Sequence, residues 1–306
     1  MQENEAENTQ QQEHIEIKDI ERFVRYLVAE LNYSANTAKA YSVDMYEFAE
    51  FVKNTKNIDL ANCDKNIIRD YLANLYNKNL KKSSIIRKLA VLKSFYKFLV
   101  ITDVIKANPT ISMATPKKDK RIPVFLTEQE ILNLFDMSDI DLRDKAMLEL
   151  LYSSGIRIEE MININEKDID FISGYVKVFG KGAKERFAPV GDRCLSAIRK
   201  YMNAEREKGF SFMPNSPVFI NKNGKRLTQR GARKMLHNWF VKAGLKKKVS
   251  PHTIRHTFAT HLLDRGCDIR SVQQMLGHKN LSTTQIYTHV TLETLRKVYD
   301  AAHPRS

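Results

Sequence analysis

The sequence predicts a mainly α-helical chain of two domains, the second of which carries a small antiparallel β-sheet. Three observations point there. The chain has 306 residues, too many for one typical small domain and enough for two. From Ile15 to Val104 there is neither Gly nor Pro, and apolar residues recur at helical spacing. Beyond Pro123, helix signals are interrupted by two short β-like runs flanking a Gly-Lys-Gly turn.

Residues 1–14 are polar and acidic, with Glu3, Glu5, Glu7 and Glu13 and no Lys or Arg. They read as a disordered tail rather than a signal peptide, which needs a positive start and an apolar stretch. Residues 15–106 form the first helical domain. Helices are expected over Ile17–Leu31, from a Ser34 cap toward Asn54, and near Lys65–Tyr76. Ser83 or Ser84 opens a fourth, along which Ile86, Leu89, Leu92, Phe95 and Phe98 recur at three-residue steps. Lys81, Lys82, Arg87, Lys88, Lys93 and Lys97 decorate this helix and its start, and suit either a solvated surface or a face laid against phosphates. Residues 107–123 hold Pro109, Pro116 and Pro123 among Lys117, Lys118, Lys120 and Arg121, the mark of an extended basic linker.

The second domain, 124–306, opens on the capping box Thr127–Glu130. Leu142, Ala146, Met147, Leu150 and Leu151 make the apolar face of the next helix, which Gly155 stops. Tyr175–Phe179 alternates and is Val-rich, so it reads as a strand; Gly180–Glu185 is a turn, and Arg186–Val190 returns as a second strand. Val218–Ile220 is a candidate short strand before a turn at Asn223-Gly224. The remainder is helical, and His256, His261 and Trp239 read as packing residues.

Composition narrows the function. The formal net charge of +14 favours a polyanionic partner, nucleic acid first. An anionic membrane surface is the alternative, but no basic amphipathic helix stands out at either end and no apolar run is long enough to cross a bilayer. Cys63, Cys194 and Cys267 are far apart with no CxxC pair, which points to a reducing, cytoplasmic setting and away from a zinc ribbon. There is no GxSxG, and the Gly180-Lys-Gly182 run lacks the spacing and the Ser or Thr of a phosphate-binding P-loop. His252 and His256 have the i, i+4 spacing of a metal-binding helix, but Thr253 stands where a zincin has its general-base Glu, so no metal site is read there.

What remains is a set of cations with one late tyrosine: Arg157 after the Gly155 stop, Lys181 in the hairpin turn, His252 and Arg255 three apart on a helix, His278 after Gly277, and Tyr287. Singly, each suits a surface, turn, capping or core role. Together they suit phosphoryl transfer without metal. Arginines grip phosphoryl oxygens in bidentate fashion, fixed cations stabilise charge that develops in the transition state, a tyrosine hydroxyl is a competent nucleophile once its proton is removed, and a lysine can protonate a leaving oxygen.

Four segments carry a family resemblance: LYSSGIRIEE from Leu151 to Glu160, GKGAKER from Gly180 to Arg186, HTIRHTFATH from His252 to His261, and LGHKNLSTTQIY from Leu276 to Tyr287. In this order they resemble the tyrosine recombinases, also called the phage-integrase family, and within it the Xer group, to which the ending from Tyr287 through His303-Pro-Arg is also similar. The resemblance spans the chain after the acidic tail. Ser153-Ser154 and Ile158-Glu159 depart from commoner choices around Arg157.

The resemblance implies a SAM-like core-binding domain followed by a catalytic domain of the DNA breaking-rejoining fold, together clamping duplex DNA. It implies that Arg157 and Arg255 bind the scissile phosphate, His278 hydrogen-bonds it, Lys181 protonates the leaving 5′ oxygen, His252 assists proton transfer, and Tyr287 becomes joined to the 3′ phosphate, with Glu160 orienting its neighbours. It implies no cofactor, metal or ATP. The implied partners are double-stranded DNA at a specific site and further recombinase protomers, a dimer on the site and a tetramer in the synapse, joined through the C-terminal helix. A related second recombinase and a cell-division DNA translocase are further partners of the Xer group; whether this chain works alone is left open. The implied role is chromosome dimer resolution at a dif-like site, serving chromosome partition in the cell cycle. A mobile-element integrase or transposase, a type IB topoisomerase-like enzyme and a non-enzymatic DNA-binding regulator are the rivals. Against the topoisomerase stands the stripe Leu292, Leu295, Tyr299 and Ala302, which either folds back on its own domain or, as in the Xer group, docks on a neighbouring protomer, so that Leu292, Leu295 and Tyr299 are buried only in the assembly; against the regulator stands the complete catalytic set.

Overall fold

The computed structural model describes residues 18–117, 124–180, 185–245, 247, 249–277 and 289–305. The chain divides into two compact units, Met1–Arg121 and Ile122–Ser306. The acidic tail, most of the basic run of the linker, and Lys181, His278 and Tyr287 lie outside the described residues.

The first unit is helical: α1 over 18–29, α2 Ala35–Lys56, α3 Lys65–Asn77 and α4 Lys82–Ile101, with a 3-10 turn at Leu60–Asn62. Ser34 caps α2 through the Thr37 N–H, and Asp64 caps α3 through the N–H groups of Asn66 and Ile67. Helix ends are marked by Asn32, Asn57, Asn79 and Asp103, all at positive φ. In a segment with no glycine these residues take the left-handed turn, which short polar side chains tolerate best. Helix α4 begins at Lys82, with Lys81 at its cap and no side-chain capping bond, earlier than the two serines suggest.

Helix α4 is also more deeply buried than one apolar face requires. Ile85, Val91, Tyr96 and Leu99 join Leu89, Leu92, Phe95 and Phe98 in a core with Phe23, Phe48 and Tyr71, and Ile86 is buried outside that cluster. The basic residues on it accordingly divide. Lys88 is buried, its ammonium 2.9 Å from Asp44 and 2.6 Å from Glu47; Arg87 pairs with Asp44, and Lys93 donates to the Met113 carbonyl at 2.6 Å. Lys88 therefore belongs to neither reading of that face: it neutralises two carboxylates inside the unit.

In the second unit the Thr127–Glu130 capping box starts α5 (Glu128–Phe135). Helix α6 (Leu142–Ser154) is its central rod and ends at Gly155, φ 60°. Apart from Lys145, every α6 residue from Asp144 onward is buried, whereas Leu142, expected on the apolar face, is exposed. Buried Asp144 accepts the indole N–H of Trp239 at 2.7 Å, which places Trp239 in the core as expected. After α7 (Ile158–Ile162) comes a three-stranded antiparallel sheet in the order β1 (Ile169–Asp170), β2 (Tyr175–Phe179), β3 (Glu185–Pro189). Its register pairs Tyr175 with Pro189 and Val178 with Arg186. Strand β1 has only two residues, too short to leave a sequence pattern. Val218–Ile220 does not form a strand: two isolated bridges, Asn165 to Pro217 and Ile220 to Arg226, are all that pairs there. Helices α8 (Asp192–Glu207), α9 (Gln229–Lys242), α10 (Pro251–Asp264), α11 (Ile269–Leu276) and α12 (His289–Ala302) complete the unit.

The terminal helix packs on its own unit along most of its stripe. Leu295, Tyr299 and Ala302 are buried with Phe258, Leu262, Val272 and Met275 of α10 and α11 in the same unit. Tyr299 shares a 2.7 Å hydrogen bond with Ser153, and Arg305 pairs with buried Glu149. Leu292 is only half-buried, but the rest of the stripe is covered within the unit, because its own domain presents a matching apolar surface, so it does not by itself separate a recombinase from a topoisomerase.

Candidate active site

Arg157 enters the site because Gly155 turns the chain out of α6. At φ 60°, and with a Cβ placed 2.3 Å from the Phe258 ring, that position admits only glycine without rearrangement. Arg157 then caps α7, and Glu160, three residues on, accepts its backbone N–H at 2.7 Å and its Nη1 at 2.8 Å. The Arg157 side chain is 40% exposed, so the guanidinium reaches solvent while its root is fixed.

Helix α10 supplies Arg255 and His252. Ser250 caps it and Pro251 occupies its first turn. Arg255 is buried and donates to the Gly155 carbonyl at 2.7 Å and the Leu276 carbonyl at 2.6 Å. It thereby ties the end of α6 to the end of α11. His252, one turn earlier, is exposed. His256 lies edge-on to Phe125, and His261 is buried with both ring nitrogens engaged, by the Tyr152 hydroxyl at 2.8 Å and the Leu126 carbonyl at 2.9 Å. Among the described residues no three His, Cys, Asp or Glu side chains gather as a metal-ion site, and Cys63, Cys194 and Cys267 are buried.

The sequence reading assigned no role to Arg186. On β3 it is 5% exposed and forms a two-pronged pair with Glu160, both bonds 2.8 Å, while its Nε donates to the Met275 carbonyl at 3.1 Å. A signal was present: Arg186 shares strand parity with Ala188 and Val190, so alternation points it inward, and an inward arginine needs a carboxylate.

Two guanidinium groups thus bond one carboxylate, and a third, that of Arg255, holds the Leu276 carbonyl next to the Met275 carbonyl that Arg186 holds. Burial alone would raise the Glu160 carboxyl, but its bonds to Arg186 and Arg157 outweigh that and hold it below the ordinary carboxylate range. Burial first, then the charges of Arg157 and Arg186, push the Arg255 guanidinium down to about 10, so it remains charged at neutral pH. The formal surplus of positive charge, partly buried, makes the site a receptor for an anion with several oxygens.

The chain matches the phage integrase family over residues 124–294 and that family's N-terminal SAM-like domain over residues 20–102. A protein named tyrosine recombinase XerC from Pelotomaculum thermopropionicum is 40% identical over 300 residues, covering 94% of this chain and 98% of that protein. One of the same name from Staphylococcus haemolyticus is 43% identical over 289 residues, covering 93% and 96%. The crystal structure of XerH site-specific recombinase bound to a palindromic difH substrate superposes with a TM-score of 0.70 at 20% identity, over 94% of this chain and 92% of that one. No helix among the described residues is long and apolar enough to cross a membrane.

Proposed function

Because the chain belongs to the phage integrase family, the tyrosine recombinases, we propose that it exchanges strands at one specific duplex site, and that this site is a dif-like sequence at which chromosome dimers are resolved in the cytoplasm. The observation that carries the chemistry is the excess of guanidinium over carboxylate where Arg157 and Arg186 share Glu160 and Arg255 holds the Leu276 carbonyl next to the one that Arg186 holds. The relatives named XerC support the chromosomal role, as does the difH-bound structure sharing this fold.

In this reading residues 20–102 grip the duplex and residues 124–306 cut it. Arg157 and Arg255 hold the nonbridging oxygens of the scissile phosphate, joined by His278. The Tyr287 hydroxyl oxygen bonds to phosphorus as the bond to the 5′ oxygen breaks. The departing oxygen takes a proton from Lys181, and His252 assists the proton of the nucleophile. The 3′-phosphotyrosyl bond keeps the energy of the linkage, so attack by the 5′ hydroxyl of a second strand reverses the step without ATP or metal. Exchange between two duplexes requires further protomers, paired on each site and four in the synapse; a related second recombinase and a cell-division DNA translocase complete the proposed partners.

Covalent protein–DNA adducts recovered from cells and sequenced provide the test. Recovery of one short chromosomal sequence is expected. Recovery of the ends of a mobile element would replace the chromosomal role with integration, and adducts scattered without sequence preference would favour a topoisomerase.

A further inference from the structure

We propose that Arg186 is a positioning residue for strand cleavage, which through Glu160 sets the Arg157 guanidinium on the scissile phosphate. The inference rests on the assignment of Arg157 to that phosphate.

The geometry gives Arg186 two tasks. The first is electrostatic. Glu160 has one negative charge, and Arg157 and Arg186 share it: each carboxylate oxygen receives one bond from either residue, at 2.7 or 2.8 Å. With Arg186 in place, the carboxylate is largely neutralised from the buried side, and the solvent-facing charge of Arg157 remains available to an incoming phosphate. Without it, the whole carboxylate charge falls on Arg157 and competes with the phosphate. The second task is mechanical. The fork fixes the plane of the Glu160 carboxylate, and with it the rotamer of the Arg157 side chain, which is otherwise 40% exposed. A buried Arg–Glu pair contributes little net stability relative to an apolar pair of the same shape, so packing alone gives no reason for a charged pair here.

Arg186 also reaches the other side of the site. Its Nε holds the Met275 carbonyl, and its aliphatic stem lies against Gly277, where an added Cβ would come within 2.8 Å of Cδ. The last carbonyls of α11, those of Met275 and Leu276, are thus each held by an arginine, Arg186 and Arg255. The next residue in the chain is His278, and β3 itself follows directly on the segment that contains Lys181. One side chain therefore connects Arg157, the end of α11 and the base of the hairpin.

The test separates positioning from folding by removing charge from the substrate instead of the protein. The probe is a nicked duplex carrying the sequence recovered from adducts, made once with the ordinary phosphodiester and once with a neutral methylphosphonate at the cleavage point. Arg186→Met is expected to slow adduct formation about 10–100-fold on the phosphodiester, the usual effect of losing a group that orients another, and only a few-fold on the methylphosphonate, which has less need of a correctly presented Arg157. Arg157→Ala should show the same charge-dependent relief. Equal slowing on both duplexes, or no slowing on either, would overturn the role given to Arg186. If Arg186→Met does not melt cooperatively, Arg186→Lys, which keeps a cation opposite Glu160 but not the fork, takes its place with the same expected split. A wild-type chain that forms no adduct, or an Arg157→Ala chain whose defect is not relieved, instead contradicts the functional reading beneath it.

Discussion

His303 sits where a charge is least welcome. Its Nδ1 accepts the backbone N–H of Arg305 at 3.1 Å, and its Nε2 faces the Tyr152 carbonyl at 3.3 Å. The neutral imidazole satisfies both partners; a second proton would place two N–H groups head to head. Burial, with His261 and Arg305 nearby, pushes the imidazole down to about 3 from its ordinary 6.5. Because the folded value is depressed, the unfolded chain takes up the proton first, and stability is lost as pH falls from 6.5 toward 3. Between pH 6.5 and pH 5 this one group should cost about 2 kcal/mol, with a further loss from His261, which burial also depresses. Thermal melts across that range should show the decline in the wild type and a clearly shallower one in His303→Gln; parallel curves would contradict the burial of a neutral His303. At this scale the sequence was informative about identity and less so about environment. His261 and Trp239 read as packing residues and are buried, yet Lys88 and Arg186 have no legible place, because a lone charge in a sequence does not reveal whether a carboxylate waits across the fold.

Elements were legible where a local device defines them. The Thr127–Glu130 box, the Ser34 cap and the Gly155 stop each leave a signature within a few residues, and the helices begin or end there. The two-residue β1 is too short to leave one, and the apolar Val218–Ile220 run suggests a strand where only isolated bridges form, one of them from Pro217 back to Asn165. The terminal helix is the instructive case: an apolar stripe announces burial but not the surface that buries it. Since Leu295 and Tyr299 pack in cis, deleting residues 291–306 should damage the second unit rather than leave it intact. Each large side chain contributes about 1.5–3 kcal/mol, and losing Arg305 strands Glu149, 2% exposed, without its partner at a cost of about 3–5 kcal/mol. Calorimetry should find the second unit's melting temperature lowered by at least about 10 °C. A truncated chain that melts with the full-length one would return the helix to a neighbouring protomer.

At the scale of the whole molecule, a formal charge of +14 makes binding to duplex DNA an exchange of condensed counterions for Lys and Arg. A protein contacting 6–10 phosphates loses about 10³–10⁵ in affinity between 50 and 200 mM salt. A gel-shift titration of the recovered site should fall in that range, and an affinity indifferent to salt would argue against a phosphate-gripping surface. In the proposed reaction one tyrosine makes the covalent bond, and cations of the protein alone support it. The direct measurement is to react the full chain with a nicked duplex of the recovered sequence in excess chelator, digest the trapped adduct, and map the modified peptide by mass spectrometry. DNA joined to Tyr287 is expected, undiminished by chelator and absent from Tyr287→Phe, which should still bind the duplex. DNA joined to Tyr175 or to Tyr299, whose hydroxyl is buried against Ser153, or an adduct lost in chelator and restored by zinc or magnesium, would contradict it.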